Sequence, residues 1–393
     1  MSCATPDQSC TGPQDSAAPD TRVMISASSP LRYLVCLSLG AALIALIIFR
    51  GLPKSHPRFA KPGDIMNPDN EVAINRRIFL QISSAALSTA QFKALAEAPM
   101  PMTTLGKSGL HVSRITVGGY HMRIRGEDEG VRIIHRAIDL GVNFFDSAHK
   151  YHDGASDETY GKAFTGNLRH KVLLMSKAEI RDRDGAMREL ELTLKRMNTD
   201  YLDLWQCHEV SRHEEVDKIF SPNGSLEAFV KAKQQGKVRH IGFTGHHDPT
   251  VHQRLLDGYD GWETVQHPVN LIDPHYLSFI NSVLPNIRRK GLGLLAMKTN
   301  AIGNITKNRI ATIPECLRFA WSHDVDTVVS GVETVQQLEE NVLACKTFRP
   351  MSKEEQEELL ARTRKGPFGP QVEDYKRGQP GVFMRRHRDG ERA

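Results

Sequence analysis

The sequence predicts an α/β chain closed into a (β/α)8 barrel, the TIM-barrel architecture, with an amino-terminal β-hairpin and a carboxyl-terminal helical and extended tail. Three observations predict it. From Pro101 onward, short apolar runs alternate with helical periods, the pattern of βα units. Eight such runs fit within about 250 residues, the usual length of this barrel. Asp146, Lys177 and His208 stand at the carboxyl ends of three successive runs, 31 residues apart in each case.

The 393 residues are 40% hydrophobic and 25% charged, which suits a globular core and excludes a mostly disordered or multi-span membrane chain. Lys and Arg total 51 against 46 Asp and Glu, a net charge of +5. That excess is too weak and too diffuse for a nucleic-acid partner. Six cysteines, none at CxxC spacing, do not make a disulfide framework or a cysteine zinc site.

Taken in order, residues 1–30 are rich in Ser, Ala, Pro, Thr and Asp without an apolar period and are expected to be disordered. Residues 31–50 form a hydrophobic segment. Within it, Tyr33–Phe49 is 17 residues without a charge, near the short limit of a bilayer span, so membrane association through residues 33–49 is an expectation. Residues 51–98 form a linker containing NRRIFLQISSAALSTAQFKALAEA (Asn75–Ala98), which resembles a twin-arginine export signal. Arg76 and Arg77 precede Phe79 and Leu80, and Ala96-Glu97-Ala98 makes a small-residue cleavage pattern. The structural alternative is an amphipathic helix leading into the domain. The two signals conflict. Arg50, Lys54, Arg58 and Lys61 after the hydrophobic segment would keep the downstream chain in the cytoplasm, whereas a twin-arginine signal would export it. Translation from Met66 would resolve the conflict in favour of the periplasm. Translation of residues 33–49 favours a membrane-associated enzyme, and use of neither signal a cytoplasmic one.

The barrel is expected over residues 99–351. Its strand candidates are Arg114–Gly118, Val142–Phe145, Val172–Met175, Leu202–Cys207, Ile241–Phe243, Thr264–His267, Gly293–Ala296 and Thr327–Val329. Between them, Val131, Ile134 and Ile138 share a helical face that stops at Gly141. Met187, Leu190, Leu194 and Met197 share another, and Leu226, Phe229 and Val230 a third that ends at Gly236. Residues 352–393 read as a helix (Lys353–Thr363) and a Gly/Pro-rich tail ending in a solvated charge run. The ends of neighbouring strands meet on one face of such a barrel, where active sites are built, so Asp146, Lys177 and His208 should converge there.

These residues carry a resemblance. GVNFFDSAHKYHDG is similar to the signature of the aldo-keto reductase family, in which an Asp follows the second strand and a Tyr comes five residues later; here these are Asp146 and Tyr151. Lys177 in KVLLMSK and His208 in DLWQCHEV match the family's lysine and histidine after the third and fourth strands. TLGKSGLHVSRITVGG resembles its barrel-floor hairpin, and GKVRHIGFTGH and QLEEN resemble its cofactor-side segments. The similarity runs from about Met102 to Met351. It implies a (β/α)8 barrel that reduces an aldehyde or ketone to an alcohol, with NADP(H) as cofactor, NAD(H) as the alternative, and a small carbonyl compound as substrate. Oligomeric state is left open.

The chemistry of such a tetrad is direct. A carbonyl receiving a hydride must also receive a proton, and Tyr151 is the candidate general acid. Lys177 is expected to lower its pKa below the ~10 of free tyrosine, Asp146 to compensate the buried ammonium, and His208 to orient the substrate oxygen. No metal is required. The resemblance further implies that Gln266 holds the nicotinamide carboxamide and that Thr244 and Gly245 stand where Ser-Asn is usual, with His246 as a substitute contact. Met297 replaces a stacking aromatic residue, with Lys298 beside it. Ser330, Gly331, Gln337, Glu340 and Asn341 form the adenosine end. Gln337 stands where many members place an arginine for the 2′-phosphate and Gly331 where some place lysine, which leaves NADPH against NADH open.

Other motifs carry less. Gly291, Gly293 and Ala296 spell GxGxxA but lack the strand that must precede it. His208, Glu209 and His213 approach HExxH at the wrong spacing. Cys207 lies in an apolar run and reads as a small buried hydrophobe. Two rival functions remain. One is a metal-dependent TIM-barrel hydrolase using His149, His152, His208 and His246 with Asp146, exposed loops being the default for His149, His152 and His247. The other is a non-catalytic nucleotide-binding barrel that regulates a membrane partner.

Overall fold

Leu105 and Val112 pack into the floor of a barrel whose inner wall begins with Phe144, Met175, Leu204 and Leu295. Of the 393 residues, the computed structural model describes 97–365 and 372–376. The hydrophobic segment and nearly all of the twin-arginine-like signal lie outside the described residues. Among those described, no helix is long and apolar enough to cross a membrane.

A two-stranded antiparallel hairpin, β1 (Met102–Thr104) and β2 (His111–Ser113), opens the domain. Eight parallel strands follow: β3 (Ile115–Gly118), β4 (Phe144–Asp146), β5 (Leu173–Ala178), β6 (Leu202–Cys207), β7 (Val238–Thr244), β8 (Thr264–Pro268), β9 (Gly293–Met297) and β10 (Thr327–Gly331). They close in sequence order, with β10 pairing back onto β3. The hairpin reaches the floor at Gly106, where a Cβ would stand 2.1 Å from the Gly293 nitrogen; only glycine permits that approach.

All eight expected strands are present, and β6 has the expected bounds. Several others run further, because pairing with a neighbour sets where a strand ends. Asp146 pairs with Met175, and Lys177 with Gln206. Both therefore lie within their strands instead of just past them. Side chains alternate across each strand, so the inward series Phe144–Asp146, Met175–Lys177 and Leu204–Gln206–His208 climbs from apolar floor to polar rim.

The helices end where the sequence indicates. Glu127–Asp139 stops before Gly141 (φ 90°) and Ser225–Gln234 before Gly236 (φ 74°). Beyond the barrel, the helix expected over Lys353–Thr363 spans Lys353–Lys365. The segment Val372–Lys376 then folds back on the loop after β8. Lys376 is wholly buried and ion-pairs with Asp273 at 2.6 Å and Glu373 at 2.8 Å. Glu373 also accepts from Tyr375 Oη and Asn270 Nδ2.

Candidate active site

A cavity of about 900 Å³ opens at the carboxyl ends of the strands. Its inner end holds the four residues expected to act together, Asp146, Tyr151, Lys177 and His208. Asp146 and Lys177 are 3% and 1% exposed and form an ion pair; Lys177 Nζ also donates to the Ser147 carbonyl at 2.7 Å. Burial raises the Asp146 carboxyl and lowers the Lys177 ammonium, and each partner's charge opposes the shift. Tyr151 opens a 3₁₀ turn just after β4. The Lys177 ammonium lies 4.9 Å from its ring centroid. The His208 ring meets Tyr151 edge-on at 5.7 Å, and Tyr120 does so from another side at 5.5 Å.

Electrostatics corrects one expectation. Lys177 was to lower the Tyr151 phenol, yet that phenol stands well above its usual value. Burial is the main cause and the Asp146 carboxylate adds to it. Lys177 is occupied by Asp146 and Ser147, so Asp146 opposes much of its field at Tyr151. His208 is held well below the usual imidazole range, first by burial and then by Lys150 and Lys177. Near neutral pH the site thus presents a protonated phenol beside a neutral imidazole whose Nδ1 is buried without a hydrogen-bond partner.

The cavity continues over the expected cofactor residues. Thr244, Gln266, Met297, Lys298, Ser330, Gly331, Gln337, Glu340 and Asn341 all line it. Gln266 Nε2 makes only a weak contact to Met297 Sδ at 3.7 Å, and its Oε1 is buried without a partner. Asn341 Nδ2 donates to Ser330 Oγ at 3.0 Å. Gln337 sits in the first turn of helix Val335–Lys346, where its Oε1 accepts from the Glu333 backbone at 2.7 Å. Burial lowers the Lys298 ammonium to about 8.

Gly245 is not among the lining residues. A Cβ there would stand 2.5 Å from the Val210 carbonyl and 2.6 Å from His252 Nε2, so this glycine serves close packing, and His246 takes the place on the wall. Gly331 does line the cavity, but a side chain at that position would meet the His121 ring at 2.4 Å. His247, expected on an exposed loop, is 3% exposed and also lines the cavity.

The hydrolase donor set does not assemble. His149 Nδ1 turns to Thr193 Oγ1, His152 Nε2 to the Tyr120 carbonyl, and Asp146 to Lys177. Gly291, Gly293 and Ala296 lead into and form β9, as a strand and not a nucleotide loop. Sequence reasoning missed Lys150 and Glu209 on the cavity wall. Their positions immediately before Tyr151 and after His208 were the available signal, since the residue beside a site residue on a short loop often faces the same space.

A polar constellation at the carboxyl rim of a parallel barrel, joined to a long cavity, defines a barrel enzyme acting on a small molecule. A family model described as "Aldo/keto reductase family" matches residues 114–315, just over half of the chain. The chain belongs to that family and is an NAD(P)H-dependent oxidoreductase acting on carbonyl groups. Among its relatives is the uncharacterized oxidoreductase YrpG of Bacillus subtilis, 32% identical over 229 residues, which are 52% of this chain and 68% of the relative. L-galactose dehydrogenase of Arabidopsis thaliana is 25% identical over 291 residues, 62% of this chain and 87% of that one. The holo form of aldo-keto reductase AKR11C1 from Bacillus halodurans superposes with a TM-score of 0.59 at 22% identity, covering 70% of this chain and 99% of that structure. That last likeness bears on fold alone.

Proposed function

We propose that this chain reduces an aldehyde or ketone to the alcohol with Tyr151 as proton donor, Lys177 and Asp146 as its buried support and His208 as the group that orients the carbonyl. The observation that carries the reading is the convergence of Tyr151, the buried Lys177–Asp146 pair and His208 on one cavity. Burial favours the protonated phenol of Tyr151 and the neutral ring of His208, which agrees with the phenol as the acid near neutral pH.

The residues present fit a nicotinamide dinucleotide. Gln266 Oε1 is a buried acceptor without a donor, as a carboxamide partner needs. The Ser330–Asn341 pair and Glu340 supply polar edges at the far end, and Lys298 supplies a cation for phosphate. When bound, the reduced cofactor supplies the hydride. As negative charge grows on the substrate oxygen, Tyr151 Oη gives up its proton to it. The phenolate left behind has the Lys177 ammonium 4.9 Å from its ring centroid, whose charge, partly offset by Asp146, favours it, and it regains a proton from solvent. Asp146 keeps that ammonium in a buried position where a lone charge would be costly. His208 offers a hydrogen bond to the carbonyl oxygen without competing as an acid.

The test is a panel of aldehydes and ketones with NADPH and NADH oxidation followed by absorbance. Turnover of at least one class supports the reading. Tight nucleotide binding without turnover of any member would sink it and favour a non-catalytic nucleotide-binding barrel. For localisation, Tyr33–Phe49 and Asn75–Ala98 support a membrane-associated or exported enzyme. Sequencing the natural amino terminus distinguishes them, and an exported form should retain its nucleotide through purification, because the space outside the inner membrane is not expected to supply a reduced nicotinamide pool.

A further inference from the structure

On the cavity wall beside Tyr151 and His208 lies a charged bridge to which the mechanism gives no direct contact with substrate. Lys150 Nζ donates to a carboxylate oxygen of Glu179 and, at 2.8 Å, to Glu209 Oε2. The second oxygen of Glu209 lies 3.4 Å from His246 Nε2 and 3.5 Å from His247 Nε2. Glu179 Oε1 lies 4.0 Å from Nδ1 of His208. Lys150 and Glu209 line the cavity, with side chains 22% and 19% exposed. They are neither bulk surface nor sealed core, but wall that a substrate would touch. Glu209 is held at φ 52°, a left-handed conformation disfavoured for a residue with a Cβ. The loop therefore fixes this carboxylate against its local backbone preference, and such outliers gather at functional sites.

We propose that Lys150 and Glu209, with Glu179 holding the ammonium, are the specificity-determining residues of this chain: they hydrogen-bond hydroxyl groups on the carbons beside the substrate carbonyl and disfavour carbonyl compounds that carry a negative charge there. This inference rests on the carbonyl-reduction reading. A hydroxyl both donates and accepts. An ammonium and a carboxylate edge side by side present a donor and an acceptor, so two neighbouring hydroxyls satisfy both. A plain alkyl or aryl substrate would strip water from the two charged groups and replace it with nothing. An anionic substituent would meet one ammonium already shared by two carboxylates, and like charges at such range repel. The Tyr120 and Tyr375 rings also line the cavity and offer apolar surface to the C–H side of a hydroxylated substrate.

The experiment uses the full chain with NADPH and three matched aldehydes: propanal, glyceraldehyde and glyceraldehyde 3-phosphate. Glyceraldehyde is expected to exceed propanal in kcat/KM on the order of 10²-fold, the discrimination of a site that leaves charged partners unpaired with the wrong substrate. The phosphorylated aldehyde should fall below glyceraldehyde by about tenfold or more. Lys150→Met and Glu209→Gln should each lower the glyceraldehyde-to-propanal ratio about tenfold, chiefly through KM. Thermal melting and nucleotide binding check that each variant folds, and Glu209→Gln, which keeps size and shape, decides if Lys150→Met does not. Propanal turned over as well as glyceraldehyde, preference for the phosphate, or an unchanged ratio in the folded variants would each overturn the inference while leaving carbonyl reduction intact. Should no aldehyde react, the reaction reading fails separately. Calorimetric titration of the NADPH-loaded protein with erythritol then decides recognition: binding lost in Glu209→Gln supports the assignment, and no binding overturns it.

Discussion

Tyr151→Phe removes one oxygen and leaves the rest of the ring in place. Its neighbours are Tyr120 at 5.5 Å, His208 at 5.7 Å and the Lys177 ammonium at 4.9 Å, and all contact the ring and not only the hydroxyl. Fold and nucleotide affinity should therefore persist. The loss falls on proton transfer, where a positioned acid contributes ~10²–10⁴ in rate, or about 2.7–5.5 kcal/mol of barrier at 1.36 kcal/mol per decade. The upper half of that range applies, because neither His208 nor Lys177 can take over the proton transfer. His208 is neutral well above its lowered pKa, and Lys177 is committed to Asp146 and Ser147. The assay is kcat at saturating NADPH, with nucleotide affinity by fluorescence quenching and stability by thermal melting. A pH series adds a second check: Tyr151 titrates above its usual value of 10.0, so reduction should show no loss from phenol ionisation between pH 6 and about 9. Wild-type turnover in Tyr151→Phe, with fold and affinity intact, would refute the role.

The geometry implies three further outcomes. Gln337→Arg should tighten NADPH relative to NADH by about 1.5 kcal/mol, the low end of a charge-assisted bond, since Glu333 and Glu340 also line that end of the cavity; competitive titration of both nucleotides measures it, and an unchanged ratio would misplace this helix relative to the ribose. Lys298 carries its charge below about 8 and loses it above, so nucleotide affinity should weaken as pH rises through that value. Binding near pH 8.5 should take up protons, which calorimetry in buffers of different ionisation enthalpy detects; Lys298→Gln should abolish the uptake. His267 is buried with a pKa lowered to about 4. The folded state then binds fewer protons than the unfolded chain below about 6.5, and stability should fall as pH drops from there toward 4. Between pH 6.5 and 5 the loss is about 2 kcal/mol at most. Urea unfolding at several pH values would show it, and an equal slope in His267→Gln would assign the effect elsewhere.

The barrel was legible because its signal repeats: eight apolar runs, each followed by a helical face, leave few alternatives. Lys177 and His208 were legible for the same reason, since strand alternation carries their side chains onto the inner face above Met175 and Leu204. What depends on distant backbone was not. The Tyr151 pKa reflects burial and a shared lysine, neither of which local sequence encodes. Gly245 resembled a lining residue by position, but the Val210 carbonyl and His252 decide its environment. His247 looked like an exposed loop residue because a run of polar residues around Gly245 carries no period. The Lys150–Glu209 bridge joins residues 59 positions apart, a pairing that only closure of the barrel brings about.

The docking of Val372–Lys376 has a consequence for how the enzyme can fail. Asp374 and Tyr375 form part of the cavity wall, yet they belong to no strand or helix of the barrel and are anchored by Lys376 to Asp273, about a hundred positions earlier. All eight strands are complete by Gly331. Strand closure and competence are thus separable in this chain: a polypeptide lacking Val372–Lys376 would keep the eight paired strands while presenting a gap in the cavity wall and leaving Asn270 and Asp273 without the partners that meet them there. Val372 packs into the core, so such a molecule would uncover apolar surface as well as lose activity, and either measurement would tell it from an intact one.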